Sequence, residues 1–335
     1  MQFIHSIQVP NQLIAADGQQ IYDMPVNPLS MIYLHISPLN ETSTIANYLS
    51  TFGMMSAVDQ ITLAYRGQSI IDMRGQDLLA FIWHCTNWDV CQSNLNKTDN
   101  DRRSIVLPIC LGRRPYDPNE CFPEVRRGEL TLSVTWDIAD TGFDGLRISI
   151  ETVEIPEAQP KYFQRVTSLA RTFAATGDND IDLPIGNVIR GVLGFGTTGF
   201  AGAAPVPSLG ALRLLVDNVE TNYASSDWEV LRAVSRVTKN RLGIYTDHIH
   251  RFADAAAGEV NTGQQIITAQ APENYVYLDM DPTGDDLFSL ETRGKARVHI
   301  RANAETADAV RLYPIERIQT SEFLAAKGVL INQRG

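Results

Sequence analysis

Two segments of this chain repeat one another, and that constrains the fold more than any single motif. IHSIQVPNQLIAADGQQIYDMPVN (residues 4–27) and FQRVTSLARTFAATGDNDIDLPIG (163–186) align without a gap. They share Ala15/Ala174, Ala16/Ala175, Gly18/Gly177, Asp23/Asp182 and Pro25/Pro184, with apolar pairs at Ile4/Phe163, Ile7/Val166, Ile14/Phe173, Met24/Leu183 and Val26/Ile185. A duplicated segment implies a duplicated structural unit, so whatever architecture the chain adopts must be built twice. DMPVNP (23–28) and DLPIGN (182–187) then mark one strand exit in two copies, where the Asp and Pro recur and the turn after them varies.

The order of elements repeats where the letters do not. ITLAYRGQSIIDMRGQDLLAFI (61–82) and LRLLVDNVETNYASSDWEVLRAV (212–234) each read as an apolar strand, a polar turn and an amphipathic helix. The second helix opens on a capping box, Ser226 to Glu229, and carries Val230, Leu231, Val234 and Val237 at helical spacing, a stripe expected to face a core. Later, SIVLPICL, RGELTLSVTW and LRISIETVEI are answered by NYVYLDM, RGKARVHI and AVRLYPIERI, with Arg127-Gly128 matching Arg293-Gly294. Leu130, Leu132 and Val134 alternate with polar residues, as do Ile148, Ile150 and Thr152, the period of a strand with one buried face.

Each copy holds about eight β-runs and one or two short helices. Helices this few cannot cover both faces of a parallel sheet, which disfavours a βαβ architecture. The expected fold is all-β, two tandem jelly-roll β-sandwiches with short inserted helices. Pro156 and Pro160 bracket a polar stretch, so the predicted division is a first jelly roll at 1–156, a linker at 157–160, a second jelly roll at 161–320 and a C-terminal segment at 321–335.

A formal net charge of -11 argues against direct nucleic-acid binding, which needs a concentrated Lys/Arg surface. No apolar run is long enough to cross a bilayer and the N-terminus has no signal-peptide pattern, so synthesis and folding in a cytoplasm are expected. Cys85, Cys91, Cys110 and Cys121 have neither zinc-knuckle nor disulfide-scaffold spacing and read as free thiols, mostly buried.

Three motifs invite a chemical reading. GFGTTG (194–199) matches the dinucleotide fingerprint, with Asp217 as a ribose acid, but Pro205, Pro207 and Gly210 forbid the helix it requires, leaving an inter-strand loop. His248, His250 and Asp254, with His299 and Asn303 as a second part, resemble the metal set of a cupin, although the Pro-x-Gly before the last histidine is missing and the first copy has only isolated His35 and His84. DMDPTGDD (279–286) gathers carboxylates as a calcium loop does, without the fixed spacing of one, and reads as a solvated turn. The helices show no catalytic polar pair on their buried faces. No catalytic residue, cofactor or metal ligand is therefore predicted.

The tandem repeat, its length and the helix after the middle strands of each copy resemble the double-jelly-roll major capsid proteins of tailless icosahedral viruses, especially membrane-containing bacteriophages. The resemblance spans essentially the whole chain. It implies a non-enzymatic structural protein of the virion, assembled in the host cytoplasm as a homotrimer whose six jelly rolls form a pseudo-hexagonal capsomer. It further implies neighbouring capsomers, minor capsid or vertex proteins and an internal viral membrane as partners, with no direct nucleic-acid contact. Exposed loops are expected at 88–103, 196–210 and 248–265, and SEFLAAKG (321–328) as a short helix available to the membrane. No long amphipathic arm precedes the first run, so the sequence supports no membrane or neighbour contact by that end. The repeat is also compatible with a metal-dependent bicupin enzyme, or with a two-domain glycan-binding protein using exposed aromatics such as Trp88 and Tyr116.

Overall fold

Side-chain alternation turns these β-runs into sandwiches. In β8 (Leu130–Trp136), Leu130, Leu132, Val134 and Trp136 are buried, while Thr131, Ser133 and Thr135 face outward. One face of each strand must therefore be covered by a second sheet. The computed structural model describes residues 1–40, 54–86, 91–93, 100–138, 143–196, 208–238 and 274–327, with only the backbone of 91–93, 232 and 235–238.

The first copy runs β1 (Ile4–Ile14), β2 (Gly18–Asp23), β3 (Leu29–Asn40), β4 (Val58–Tyr65), β5 (Gln68–Met73), helix α1 (Gly75–Cys85), β6 (Cys91–Ser93), β7 (Ser104–Cys110), β8 and β9 (Phe143–Glu154). One sheet has the order β1-β9-β3-β7-β6, and the facing strands run β5-β4-β8-β2. The second copy runs β10 (Tyr162–Thr167), β11 (Leu169–Thr172), β12 (Gly177–Asp182), β13 (Val188–Gly196), β14 (Ala211–Val216), β15 (Val219–Glu220), β16 (Ser226–Asp227) and helix α2 (Trp228–Thr238). It continues through β17 (Tyr275–Asp279), β18 (Leu290–Glu291), β19 (Val298–Ala304), β20 (Ala309–Gln319) and helix α3 (Thr320–Ala326). Its strand orders, β10-β20-β13-β17 and β15-β14-β19-β12, match β1-β9-β3-β7 and β5-β4-β8-β2 of the first copy; among the described residues β6 has no counterpart, and β11, β16 and β18 are short additions beside β20, β14 and β13. Each copy is a jelly roll, with its helix inserted after the hairpin β4–β5 in the first and after β14–β15 and the short β16 in the second.

The repeated letters sit where the backbone leaves little choice. Gly18 and Gly177 open β2 and β12 at φ 148° and 102°, and Gly128 and Gly294 stand in the turn before β8 and β19 at φ 78° and 75°. Side-chain-bearing residues rarely adopt these values. The hairpins β4–β5 and β14–β15 turn on Arg66-Gly67 and Asp217-Asn218, all four at positive φ, the twist-matched two-residue turn.

The second roll has its own core, with Ile181, Val192, Leu214, Leu278, Ile300 and Leu312 among its members. The first roll's core does not stop at its own strands, because Phe163, Val166, Tyr275, Tyr313 and Ile318 of the second roll belong to it. The expected apolar stripe of α2 divides: Trp228 and Leu231 are buried, while Val230 and Val234 are exposed.

Candidate functional site

The two rolls meet at a seam, and the buried charges of the described residues concentrate there. Its backbone element is a parallel pairing of β10 with β5, Val166 opposite Ile71 and Thr167 opposite Asp72. This joins half of each sandwich into one ten-stranded sheet. Around it Phe122 packs edge-on against Phe163 and Tyr65, and Phe323 of α3 lies 5.0 Å from Phe163.

A first polar clamp comes from α1. Asp77, in its first turn, is fully buried and accepts hydrogen bonds from the Tyr275 and Tyr313 hydroxyls. Arg311 donates to it through Nε and Nη2, each at 3.0 Å, and its guanidinium stacks 4.0 Å over the Phe195 ring. Burial and then the Asp77 charge raise both tyrosines, which stay protonated donors. Burial would lower the Arg311 pKa, but the hydrogen bonds and charge of Asp77 outweigh it and hold the guanidinium charged.

A second clamp faces three guanidinium groups with three carboxylates. Arg190 on β13 reaches Glu120 of the first roll and Asp286 of the second, the latter through Nε at 2.8 Å. Arg113, also from the first roll, binds Asp286, Asp281 at 2.8 Å and the Gly284 carbonyl oxygen. Arg317 completes the set with Asp286 at 2.6 Å. Burial alone would raise the Asp286 carboxyl, but the arginines dominate and hold it at about 2. A cavity of about 240 Å³ beside this clamp is lined by Phe81, Cys85, Cys110, Arg113, Arg190 and Asp281, among others. With every carboxylate of the two clamps matched to a guanidinium, the seam is built to hold two bodies at a fixed angle.

This placement revises two expectations. The 279–286 run is only in part a solvated turn: Pro282, Thr283 and Asp285 are exposed, whereas Asp281 and Asp286 are committed to Arg113 across the seam, which also disfavours a cation there. The SEFLAAKG helix turns Phe323 and Leu324 into its own core, leaving that apolar pair unavailable to a membrane.

The other candidates do not converge. His248, His250, Asp254, Trp88 and the loop at 248–265 lie outside the described residues, as do most of 88–103 and 196–210. His299 is buried on β19, 3.6 Å from Asp180, and Asn303 is exposed further along the strand. Burial, then Arg297, lower the His299 pKa, and those neighbouring arginine charges oppose a metal cation. Gly194 to Gly196 end β13, and the rest of GFGTTG lies outside the described residues. Asp217 accepts the backbone N–H groups of Ala296 and Arg297, which uses it in a turn. His35 bonds Ser104 at 2.8 Å and His84 stacks near Tyr275. Tyr116 is exposed against Phe3. Cys110 and Cys121 are buried, which pushes both thiols up to about 12, and Cys85 is half-buried. The side chain of Cys91 is outside the described set.

The clamps leave no direct mark in the sequence. Asp77 is visible as an acid inside an otherwise apolar helix, GQDLLAFIWH, but its partners lie on strands far along the chain.

Comparison with solved structures defines the fold class. A chain of the atomic structure of Sulfolobus Turreted Icosahedral Virus matches with TM-score 0.69 and 12% identity, covering 97% of this chain and 94% of that one. The major capsid protein P2 from Bacteriophage PM2 matches at 0.61 and 10% identity, over 94% and 97% of the two chains. The PBCV-1 virus capsid matches at 0.59 and 9% identity, over 94% of each. The chain thus has the double-jelly-roll fold of viral major capsid proteins. No protein-family profile and no curated protein sequence matches it.

Proposed function

We propose that this chain is a structural major capsid protein, without enzymatic activity, that trimerises into pseudo-hexagonal capsomers and builds an icosahedral virus shell. The observation that carries this reading is the fold shared with viral capsid proteins over nearly the whole chain, both rolls included. The seam supports it physically: a subunit that tiles a shell must keep its two rolls at one angle, and a shared sheet with two charge clamps does so.

Three copies place six similar sandwiches around an axis, so one protein imitates sixfold symmetry. In this reading residues 1–156 and 161–320 are the two rolls, joined by 157–160 and followed by 321–335. The protein belongs to the virion, assembles in the host cytoplasm, and meets neighbouring capsomers, minor capsid or vertex proteins and an internal membrane. Native mass measurement of the purified chain tests this. Three times the 37.1 kDa chain mass, or larger assemblies of that unit, is expected; a monomer at every salt and protein concentration would overturn the reading.

A further inference from the structure

The cavity beside the second clamp has a lining that the clamp does not use up. Its walls come from both rolls, with Phe81 of α1 and Arg114 after β7 from the first, and Gln164 of β10, Ile315 of β20 and Thr283 from the second. Arg114 and Thr283 are exposed, whereas Phe81, Gln164 and Ile315 are buried. The cavity therefore has a mouth at the surface and a floor inside the seam. At about 240 Å³ it is larger than the apolar cavity of about 150 Å³ that already admits benzene.

Two polar side chains of this lining stand outside the ion-pair network. Gln164 is only 6% exposed, yet its side-chain amide has no hydrogen-bond partner in the protein. A buried amide left in this state is unfavourable, and it can both donate and accept. The guanidinium groups of Arg113 and Arg190 cannot serve it freely, being committed to Glu120, Asp281 and Asp286. Arg114, by contrast, has no carboxylate partner among the described residues. The clamp balances Arg113, Arg190 and Arg317 against Glu120, Asp281 and Asp286. Arg114 thus leaves the mouth with one positive charge in excess.

We propose that this cavity binds a small monocarboxylate with a ring-sized apolar body and a second polar group at its far end. The carboxylate meets the Arg114 guanidinium at the mouth, the body lies against Phe81 and Ile315, and the distal polar group bonds the Gln164 amide. Each element of the ligand answers something the protein leaves over: one charge, apolar surface, and one unpaired amide. An inorganic anion answers only the first. Because the walls belong to both rolls, a bound molecule ties them together and stabilises the folded chain by mass action.

The probe is para-hydroxybenzoate, titrated into the full chain by calorimetry and followed by the thermal midpoint. One site per chain is expected, with a midpoint that rises with ligand concentration. Para-hydroxybenzamide, which keeps the shape without the charge, is expected to bind about fivefold more weakly. Benzoate, which lacks the hydroxyl, should lose about as much, and inorganic phosphate should bind more weakly than either. Arg114→Gln should erase the preference for the carboxylate over the amide, and Gln164→Leu the preference for para-hydroxybenzoate over benzoate. Neither residue takes part in a clamp, so both variants should keep the parent's far-UV circular dichroism. A parent that shows no saturable binding, or binds the charged and uncharged probes equally, would overturn the site. So would folded variants that both keep the parent's selectivity.

Discussion

At the residue scale, the seam depends on a few side chains whose partners are fixed. Asp77 is a buried carboxylate holding one guanidinium and two phenols. Removing it leaves Arg311 charged and uncompensated, and breaking a buried pair in this way costs about 3–5 kcal/mol. Asp77→Ala is therefore expected to lower the unfolding free energy by that amount in chemical denaturation, and Asp77→Leu to recover little of it because the arginine remains. Asp286 sets the acid limit. Its carboxyl is depressed from 3.8 to about 2 in the folded chain, so its contribution is fully present above the unfolded value and is lost as pH falls through the folded one. The shift corresponds to about 2 kcal/mol. Between about pH 4 and pH 2, stability should fall by roughly that much in the parent, and Asp286→Asn should flatten that part of the curve while lowering stability at neutral pH. These contacts were not legible in the sequence, because they join residues brought together only by the docking of one roll on the other. The DMDPTGDD run looked solvated since nothing nearby in sequence supplies the arginines that bury it.

At the element scale, the sequence was far more informative. The pairs Gly18/Gly177 and Gly128/Gly294 are held by positive φ, so they survive where packing residues drift. The ungapped repeat still concealed one equivalence. Asn27 donates to Glu154 at the end of β9, and Asn187 donates to Glu316 near the end of β20. The same turn-to-strand tie recurs, displaced by one residue, which is why the DMPVNP and DLPIGN turns seemed unrelated beyond their Asp and Pro. Helix α3 shows what composition could not decide. Its amphipathic pattern suits a membrane as well as a core, and the Tyr65, Phe122 and Phe163 rings settle the matter by offering Phe323 an aromatic pocket. Phe323→Ala should lower stability by about 3–5 kcal/mol in chemical denaturation, the range for a buried aromatic truncated to alanine.

At the scale of the whole molecule, duplication links fold to function. Two rolls in one chain share a ten-stranded sheet and a core that crosses between them, so the chain presents itself as one rigid double unit. Electron-microscopy class averages of the assembled protein, viewed down its symmetry axis, test the central claim most directly. A threefold particle with six lobes is the predicted result. Isolated two-lobed particles at every concentration and salt condition, each one a single chain, would contradict it.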